Sequence, residues 1–206
     1  KLNMQPISNV THFIDVTTDT TKQAGYFVRA IEKGKEGVAS KSFVLKASNV
    51  PYFSVPLQTP AGYSVNDGRV GDVDGDGEYE FVLHQAGRGR DNSQAGQTDP
   101  PIFQAYKLDG TLLWTINLGK NIREGAHYTQ FMVYDLDGDG RAEVAMKTAD
   151  GTIDGKGNVI GDSTKDWRNE RGYILSGPEY LTVFDGLTGA ALATTDYLPP
   201  RHAKLN

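Results

Sequence analysis

Two copies of one acidic loop constrain this chain more than any other feature: Asp72-Val73-Asp74-Gly75-Asp76-Gly77-Glu78-Tyr79-Glu80 and Asp135-Leu136-Asp137-Gly138-Asp139-Gly140-Arg141-Ala142-Glu143. Each sets carboxylates at positions one, three, five and nine, with glycines at four and six that let the main chain fold inward. Position seven, Glu78 in the first copy and Arg141 in the second, completes each candidate metal-binding set. The spacing suits Ca²⁺, a hard cation that takes about six to eight oxygen ligands, because alternate Asp residues on a tight turn deliver them without burying unpaired carboxylates. The helical EF-hand loop closes with a bidentate Glu at its twelfth position. Here that position is Leu83 or Met146, so Glu80 and Glu143 are the expected closing carboxylates. The alternative is a solvated acidic turn with Asp-Gly hairpin signals and no metal. Against it stands the mutual repulsion of the crowded carboxylates when no cation is present.

Each loop runs into a short apolar segment, Phe81–His84 or Val144–Lys147, which predicts a buried strand. The loops begin 63 residues apart, and a second pair of segments supports the repeat. Phe103–Trp114 and Leu181–Leu192 both read as strand, Gly-containing turn, strand. A metal-pinned hairpin followed by a second hairpin makes about one four-stranded propeller blade. The period exceeds the roughly 40–45 residues of a WD40-type blade. The excess lies in polar insertions, Gln85–Pro101 and Ala149–Ser176. Insertions of that length are expected to bind something or to be tied down.

Composition agrees with an all-β, extracellular type of protein. The chain has 24 Gly, no Cys and no apolar run long enough to span a membrane. A disulfide scaffold and a thiolate metal site are thereby excluded, whereas secretion is not. No signal peptide is visible at Lys1, and the opening within strand-like sequence suggests a trimmed chain. The formal net charge is −5. The two loops hold nine acids against one arginine, so the remaining residues are net positive and need not repel an anionic ligand. No basic stripe or nucleic-acid motif appears, and neither nucleic acid nor membrane is an expected partner.

The N-terminal stretch reads differently. Thr11–Asp15, Gly25–Ile31 and Ser42–Lys46 are strand-like, separated by turns at Asp19–Ala24 and Lys33–Gly37. They resemble the last strands of a fibronectin type III or immunoglobulin-like sandwich. Pro51, Pro56 and Pro60 mark a boundary, which gives expected domains of 1–56 and 57–206.

Several longer runs then point to one family. Val70–Glu80, Arg90–Gln94, Ile122–Tyr134, Lys147–Thr152 and Ser176–Asp185 together resemble the bacterial rhamnogalacturonan lyases of polysaccharide lyase family 11, over roughly residues 57 to 200. The resemblance implies an eight-bladed, calcium-stabilised β-propeller with a deep cleft at one end, preceded by the end of a sandwich. It also implies a secreted, periplasmic or cell-surface location in a bacterium. The family's catalytic domain is several times longer than this stretch, so the chain resembles the beginning of the enzyme with its first two or so blades. The remaining blades are expected partners, because a propeller must close to hide its strand edges.

The implied chemistry is β-elimination at the rhamnose–galacturonate linkage of rhamnogalacturonan I, an acidic pectic polysaccharide. A base removes the C5 proton of galacturonate, the electrons move toward C4, and the 4-linked sugar departs to leave an unsaturated uronide. The neighbouring carboxylate opposes that carbanion until Ca²⁺ or a Lys/Arg cation neutralises it. Asn92 matches a family segment that reaches the substrate and reads either as an amide partner of rhamnose or as a turn-capping Asn. Lys147 and His127 lie in matched runs and are candidate substrate contacts. Their alternatives are a solvent-facing strand-end lysine and a hydrogen-bonded core or loop histidine. Arg88, Arg90 and Arg123 are candidates for uronate carboxylates, and Trp114 is either a sugar platform or packing between blades. No catalytic base is assigned. Two other readings keep the same loops: a calcium-dependent carbohydrate-binding or adhesion propeller without catalysis, and a calcium-stapled scaffold with no ligand.

Overall fold

The computed structural model describes residues 1–50, 52, 54–125 and 128–202. Pro51 and His127, both singled out above, lie outside the described residues. Among those residues every helix or strand element is a β-strand. The chain separates into two compact units, Lys1–Ser54 and Val55–Asn206.

The first unit holds two small antiparallel ladders. One pairs β1 (Ala24–Tyr26) with β4 (Phe43–Leu45), and the other pairs β2 (Arg29–Glu32) with β3 (Lys35–Ala39). The expected strand at Thr11–Asp15 is absent. Asp15 turns its carboxylate onto the Thr17 N–H at 2.9 Å, a side-chain turn that ends an extended run. The expected strand Gly25–Ile31 is divided between β1 and β2, which join different partners. The Lys33–Gly37 segment, read as a turn, spends only Lys33 and Gly34 on it. Their positive φ values of 49° and 77° fit a two-residue hairpin connection, and β3 begins at once.

The second unit is built from two antiparallel sheets. The first contains β5 (Ser64–Gly71), β6 (Glu80–Ala86), β7 (Ile102–Tyr106) and β8 (Leu112–Asn117) in sequence order. The second contains β9 (Phe131–Tyr134), β10 (Glu143–Thr148), β13 (Tyr180–Phe184) and β14 (Ala191–Asp196), also in sequence order. A short hairpin, β11 (Thr152–Ile153) with β12 (Val159–Ile160), extends the first sheet beyond β8 through the Ile153–Asn117 pair. The insertion after β10 is thus partly regular. Asp154 shapes its turn by accepting the N–H groups of Lys156 and Asn158 at 2.9 and 2.8 Å.

Period-two alternation explains the core. Val82 and His84 on β6 share a face with Phe103 and Ala105 on β7 and with Trp114 and Ile116 on β8. These apolar residues form one buried cluster with Phe131, Val144, Met146 and Phe184 of the second sheet. The opposite face of β7 is sealed differently. Tyr106 Oη donates to Gln104 Oε1 at 2.7 Å and accepts the Gln58 N–H at 2.9 Å, so polar groups close that side without an unmet hydroxyl.

Successive connections of a meander fall at alternate ends of its sheet. Both acidic loops and the β7–β8 and β13–β14 turns therefore share one end, while the long insertions and the β8–β9 connection share the other. At the acidic end the Ala142 N–H donates to the Asp72 carbonyl at 2.7 Å, joining the two loops. Gly186 lies so close that an added Cβ would sit 1.9 Å from the Ala142 carbonyl. Trp114 is 3% exposed, and its Nε1–H donates to the Gly186 carbonyl at 2.7 Å. It is a tie between the two sheets and is not available to stack a sugar.

Trp114→Phe keeps most of the apolar ring but leaves that buried carbonyl without its donor. The expected loss is about 1–3 kcal/mol of stability, read from the urea unfolding midpoint. An unchanged midpoint would show that the tie contributes nothing.

Candidate metal loops and a polar insertion hub

The two acidic loops agree hydrogen bond by hydrogen bond. Asp72 accepts the N–H of Gly75 at 2.7 Å and of Gly77 at 2.8 Å, and Asp135 accepts those of Gly138 at 2.7 Å and Gly140 at 3.0 Å. Glu80 reaches back to the Val73 N–H at 2.9 Å, as Glu143 does to the Leu136 N–H at 2.8 Å. The φ values of +80° and +89° at Gly75 and Gly77, with +81° and +90° at Gly138 and Gly140, explain the glycines.

This folding gathers Asp72, Asp74 and Glu80 so that one oxygen from each lies within 4.8 Å of the others. Asp135, Asp137 and Glu143 form the matching group. An all-oxygen donor set of that span fits a hard divalent cation, since ligands about 2.3–2.6 Å from Ca²⁺ lie up to about 5 Å apart. Asp76 and Asp139 stand at the rim and accept the N–H of Glu78 and of Arg141 at 2.8 Å each. The Arg141 guanidinium donates to Asp139 at 2.9 Å. Having no lone pair to offer, Arg141 has only its main-chain carbonyl for a cation, as an arginine at position seven must.

Charge in the first loop is partly answered from outside it. The Lys107 ammonium, on the β7–β8 turn, contacts Asp74 and lies 3.1 Å from Asp76, and those hydrogen bonds hold it well above its ordinary lysine value. Burial pushes Glu80 up, and the charges of Asp74 and Asp76 add to the shift. A buried carboxylate that resists ionisation beside two others is the electrostatic situation a cation relieves. Lys107 was not legible as a neighbour, because the pairing needs the β7 register to bring residues 31 apart together.

At the other end the connection between β8 and β9 acts as a hub for both insertions. Asn121 donates to the carbonyls of Asp150 and Lys165 at 2.8 and 3.0 Å and accepts the Trp167 N–H at 2.8 Å. Arg123, 4% exposed, donates to the Gly172 carbonyl at 2.6 Å and also to that of Gln94, so one side chain clasps both insertions. Glu124 accepts from His84 Nε2–H at 2.8 Å, with both residues nearly fully buried. His84 Nδ1 has no partner among the described residues, so the neutral ring with its proton on Nε2 leaves no buried donor unmet. The insertions also touch each other: the Gly96 N–H donates to the Arg171 carbonyl at 2.7 Å.

The candidate substrate residues are not all gathered. Asn92 stands exposed in its turn, which is closed by Asp91 accepting the Ser93 N–H at 3.1 Å, so Asn92 is not the capping residue. Lys147 is half-buried in an ion pair with Glu179 at 3.0 Å, and it lines a cavity together with Arg123. Arg88 is exposed and paired with Asp99, while Arg90 is exposed and donates its main-chain N–H to the Glu124 carbonyl. Glu179 and Arg201 were missed in the sequence, because no local pattern distinguishes them from surface charges.

Comparison with known proteins covers nearly the whole chain. Residues 52–205 match the family model described as Rhamnogalacturonan lyase family 11, C-terminal domain. The Rhamnogalacturonan exolyase YesX of Bacillus subtilis (strain 168) is 54% identical over 98% of this chain and 34% of its own length. The Rhamnogalacturonan endolyase YesW of the same organism is 55% identical over 98% of this chain and 33% of its own length. A solved structure of a Bacillus licheniformis rhamnogalacturonan lyase PL11 matches with a TM-score of 0.83 at 56% identity, covering 97% of this chain and 35% of that one. The chain thus spans about a third of the length of the relatives it matches.

The buried His84–Glu124 pair makes a direct test of the hub. Glu124→Ala should cost roughly 1–3 kcal/mol in urea unfolding, because it leaves the buried His84 Nε2–H without an acceptor, with Glu124→Gln costing less because its amide oxygen still accepts from His84. Equal, small losses in both variants would remove the pair from the account.

Proposed function

The chain belongs to rhamnogalacturonan lyase family 11, and on that premise we propose that it forms part of a bacterial enzyme that degrades pectin by β-elimination within rhamnogalacturonan I. The observation that carries the reading is identity above half along almost the entire chain to two proteins named as rhamnogalacturonan lyases, well beyond the acidic loops. A shared calcium loop alone would serve an adhesin equally well. In this reading 1–56 is the end of an immunoglobulin or fibronectin III-like sandwich, and 57–206 carries the first blades of an eight-bladed propeller. Two meanders of four strands in sequence order support the blade assignment. Met132, Tyr134 and Leu181, exposed on one face of the second sheet, give the next blade an apolar surface to cover. The location proposed is secreted, periplasmic or cell-surface.

Calcium is the proposed cofactor, held by Asp72, Asp74 and Glu80 in one loop and by Asp135, Asp137 and Glu143 in the other. When bound it supplies positive charge that offsets carboxylate repulsion, and its role in these loops is structural. Both sites lie at the end opposite the insertions, and Asn92, Lys147 and His127 are the proposed contacts to the polysaccharide. The elimination itself needs a base for the C5 proton of galacturonate and a cation beside its carboxylate, with the bond to the 4-linked sugar breaking as the C4–C5 double bond forms.

The test is incubation of this chain, and of the protein at the full length of its relatives, with rhamnogalacturonan I, following the absorbance of the unsaturated uronide. A rise from the full-length protein is expected. Pectin binding with no rise would overturn the lyase reading in favour of a carbohydrate-binding propeller.

A further inference from the structure

The two acidic loops belong to different sheets, yet they share a joint. The second loop reaches the first through residues 141–143, its positions seven to nine. There the Ala142 N–H donates to the Asp72 carbonyl at 2.7 Å. Asp72 heads the first donor set, and Ala142 immediately precedes Glu143, the closing carboxylate of the second. The bond uses no side-chain oxygen of either set: Asp72 offers its main-chain carbonyl to Ala142 and keeps its carboxylate for the Gly75 and Gly77 N–H groups.

The packing around that bond leaves little slack. A Cβ added to Gly71 would stand 2.9 Å from the Ala142 Cβ, and one added to Gly75 would stand 2.8 Å from the Arg141 Cγ. The stem of Arg141 therefore lies across the first loop while its guanidinium donates to Asp139 in the second. Val73, at position two of the first loop, is 0% exposed, and a Cβ on Gly186 of the second sheet would come within 3.0 Å of it. Leu136, at the same position of the second loop, is 45% exposed. The second sheet thus covers the first loop, and Leu136 stands outside that contact.

An ion held by Asp72, Asp74 and Glu80 needs the first turn closed with Asp72 fixed at its head. Closing it also fixes the Asp72 carbonyl as an acceptor and Val73 as a surface for residues 141–143. The second loop then has fewer conformations to lose when its own ion arrives, which is how one ligand raises the affinity for another without touching it. Repulsion between two bound divalent ions acts in the opposite direction. Both loops are largely exposed, and at about 0.15 M salt such charges are screened over about 8 Å, whereas the buried Val73 contact is not. Ordering therefore outweighs repulsion.

We propose that calcium binding at the two loops is positively coupled, with the Ala142–Asp72 hydrogen bond and the packing around Val73 carrying the coupling. The coupling rests on the calcium reading of the loops and is independent of any lyase activity. Because coupling between two binding equilibria is reciprocal, filling either loop raises the affinity of the other by the same factor, at least about fivefold.

The experiment is an NMR titration of the 206-residue chain with Ca²⁺ at about 0.15 M salt. The Gly75 and Gly77 amides report the first loop, and those of Gly138 and Gly140 the second. Asp137 is exposed, so Asp137→Ala removes a ligand of the second loop with little change in packing. The first-loop glycines are then expected to need at least about fivefold more calcium, and Asp74→Ala should shift the second-loop glycines by the same factor. A second pair of variants leaves every ligand in place. Val73→Ala should weaken calcium at the second loop, whereas Leu136→Ala should leave the first loop unchanged. Each loop keeping its affinity when the other loses its ligand, or binding more tightly as repulsion alone would give, would overturn the coupling and spare calcium. No calcium at either loop of the unsubstituted chain would overturn the calcium reading and the coupling with it.

Discussion

Carboxylates crowded onto tight turns repel one another, and the second unit is organised around the ways that repulsion is met. Main-chain N–H groups take the first share: the opening Asp of each loop accepts two, and the closing Glu reaches back for a third. Lys107 and Arg141 take a second share from outside and inside the loops. The remainder calls for a divalent cation, which we propose to be calcium. Because each loop joins the first two strands of its sheet, whatever holds the loop closed also holds the hairpin in register. The Ala142–Asp72 hydrogen bond then passes that order from one sheet to the next.

The two ends of the sheets divide the work. The acidic end is short, glycine-rich and repeated, and its side chains are spent on the loops themselves. Opposite lies an end made of unequal insertions held by buried side chains from the β8–β9 connection. Asn121, Arg123 and Glu124 are polar residues whose side-chain hydrogen bonds run to segments 29 to 49 residues away. Such a hub is costly to half-satisfy, so it fixes the insertions in one arrangement. That rigidity is what a recognition surface built from long connections needs, and the basic cavity opens among the same residues.

Much of this was legible because the chemistry is local. Asp and Gly at alternating positions announce the loops, and the apolar runs after Glu80 and Glu143 announce β6 and β10. The hairpins at 103–114 and 181–192 follow from a turn glycine between alternating residues. Contacts set by register were not legible. The burial of Trp114 depends on a carbonyl 72 residues away, and the Lys147–Glu179–Arg201 cluster depends on the insertion folding back. The N-terminal unit misled for the opposite reason. Its apolar residues suggest a strand at Thr11–Asp15 that Asp15 turns aside, while the charged residues and glycine at 35–37 read as turn although β3 begins at Lys35.

The most direct measurement of the central claim is the unfolding of the 206-residue chain in calcium and in excess chelator. With calcium at about 100 times its dissociation constant, the account predicts a gain of about 2.7 kcal/mol for each of two sites, together with binding of two ions per chain. An unfolding transition indifferent to chelator would contradict it, and would mean that hydrogen bonds and the lysine and arginine charges suffice to hold the loops.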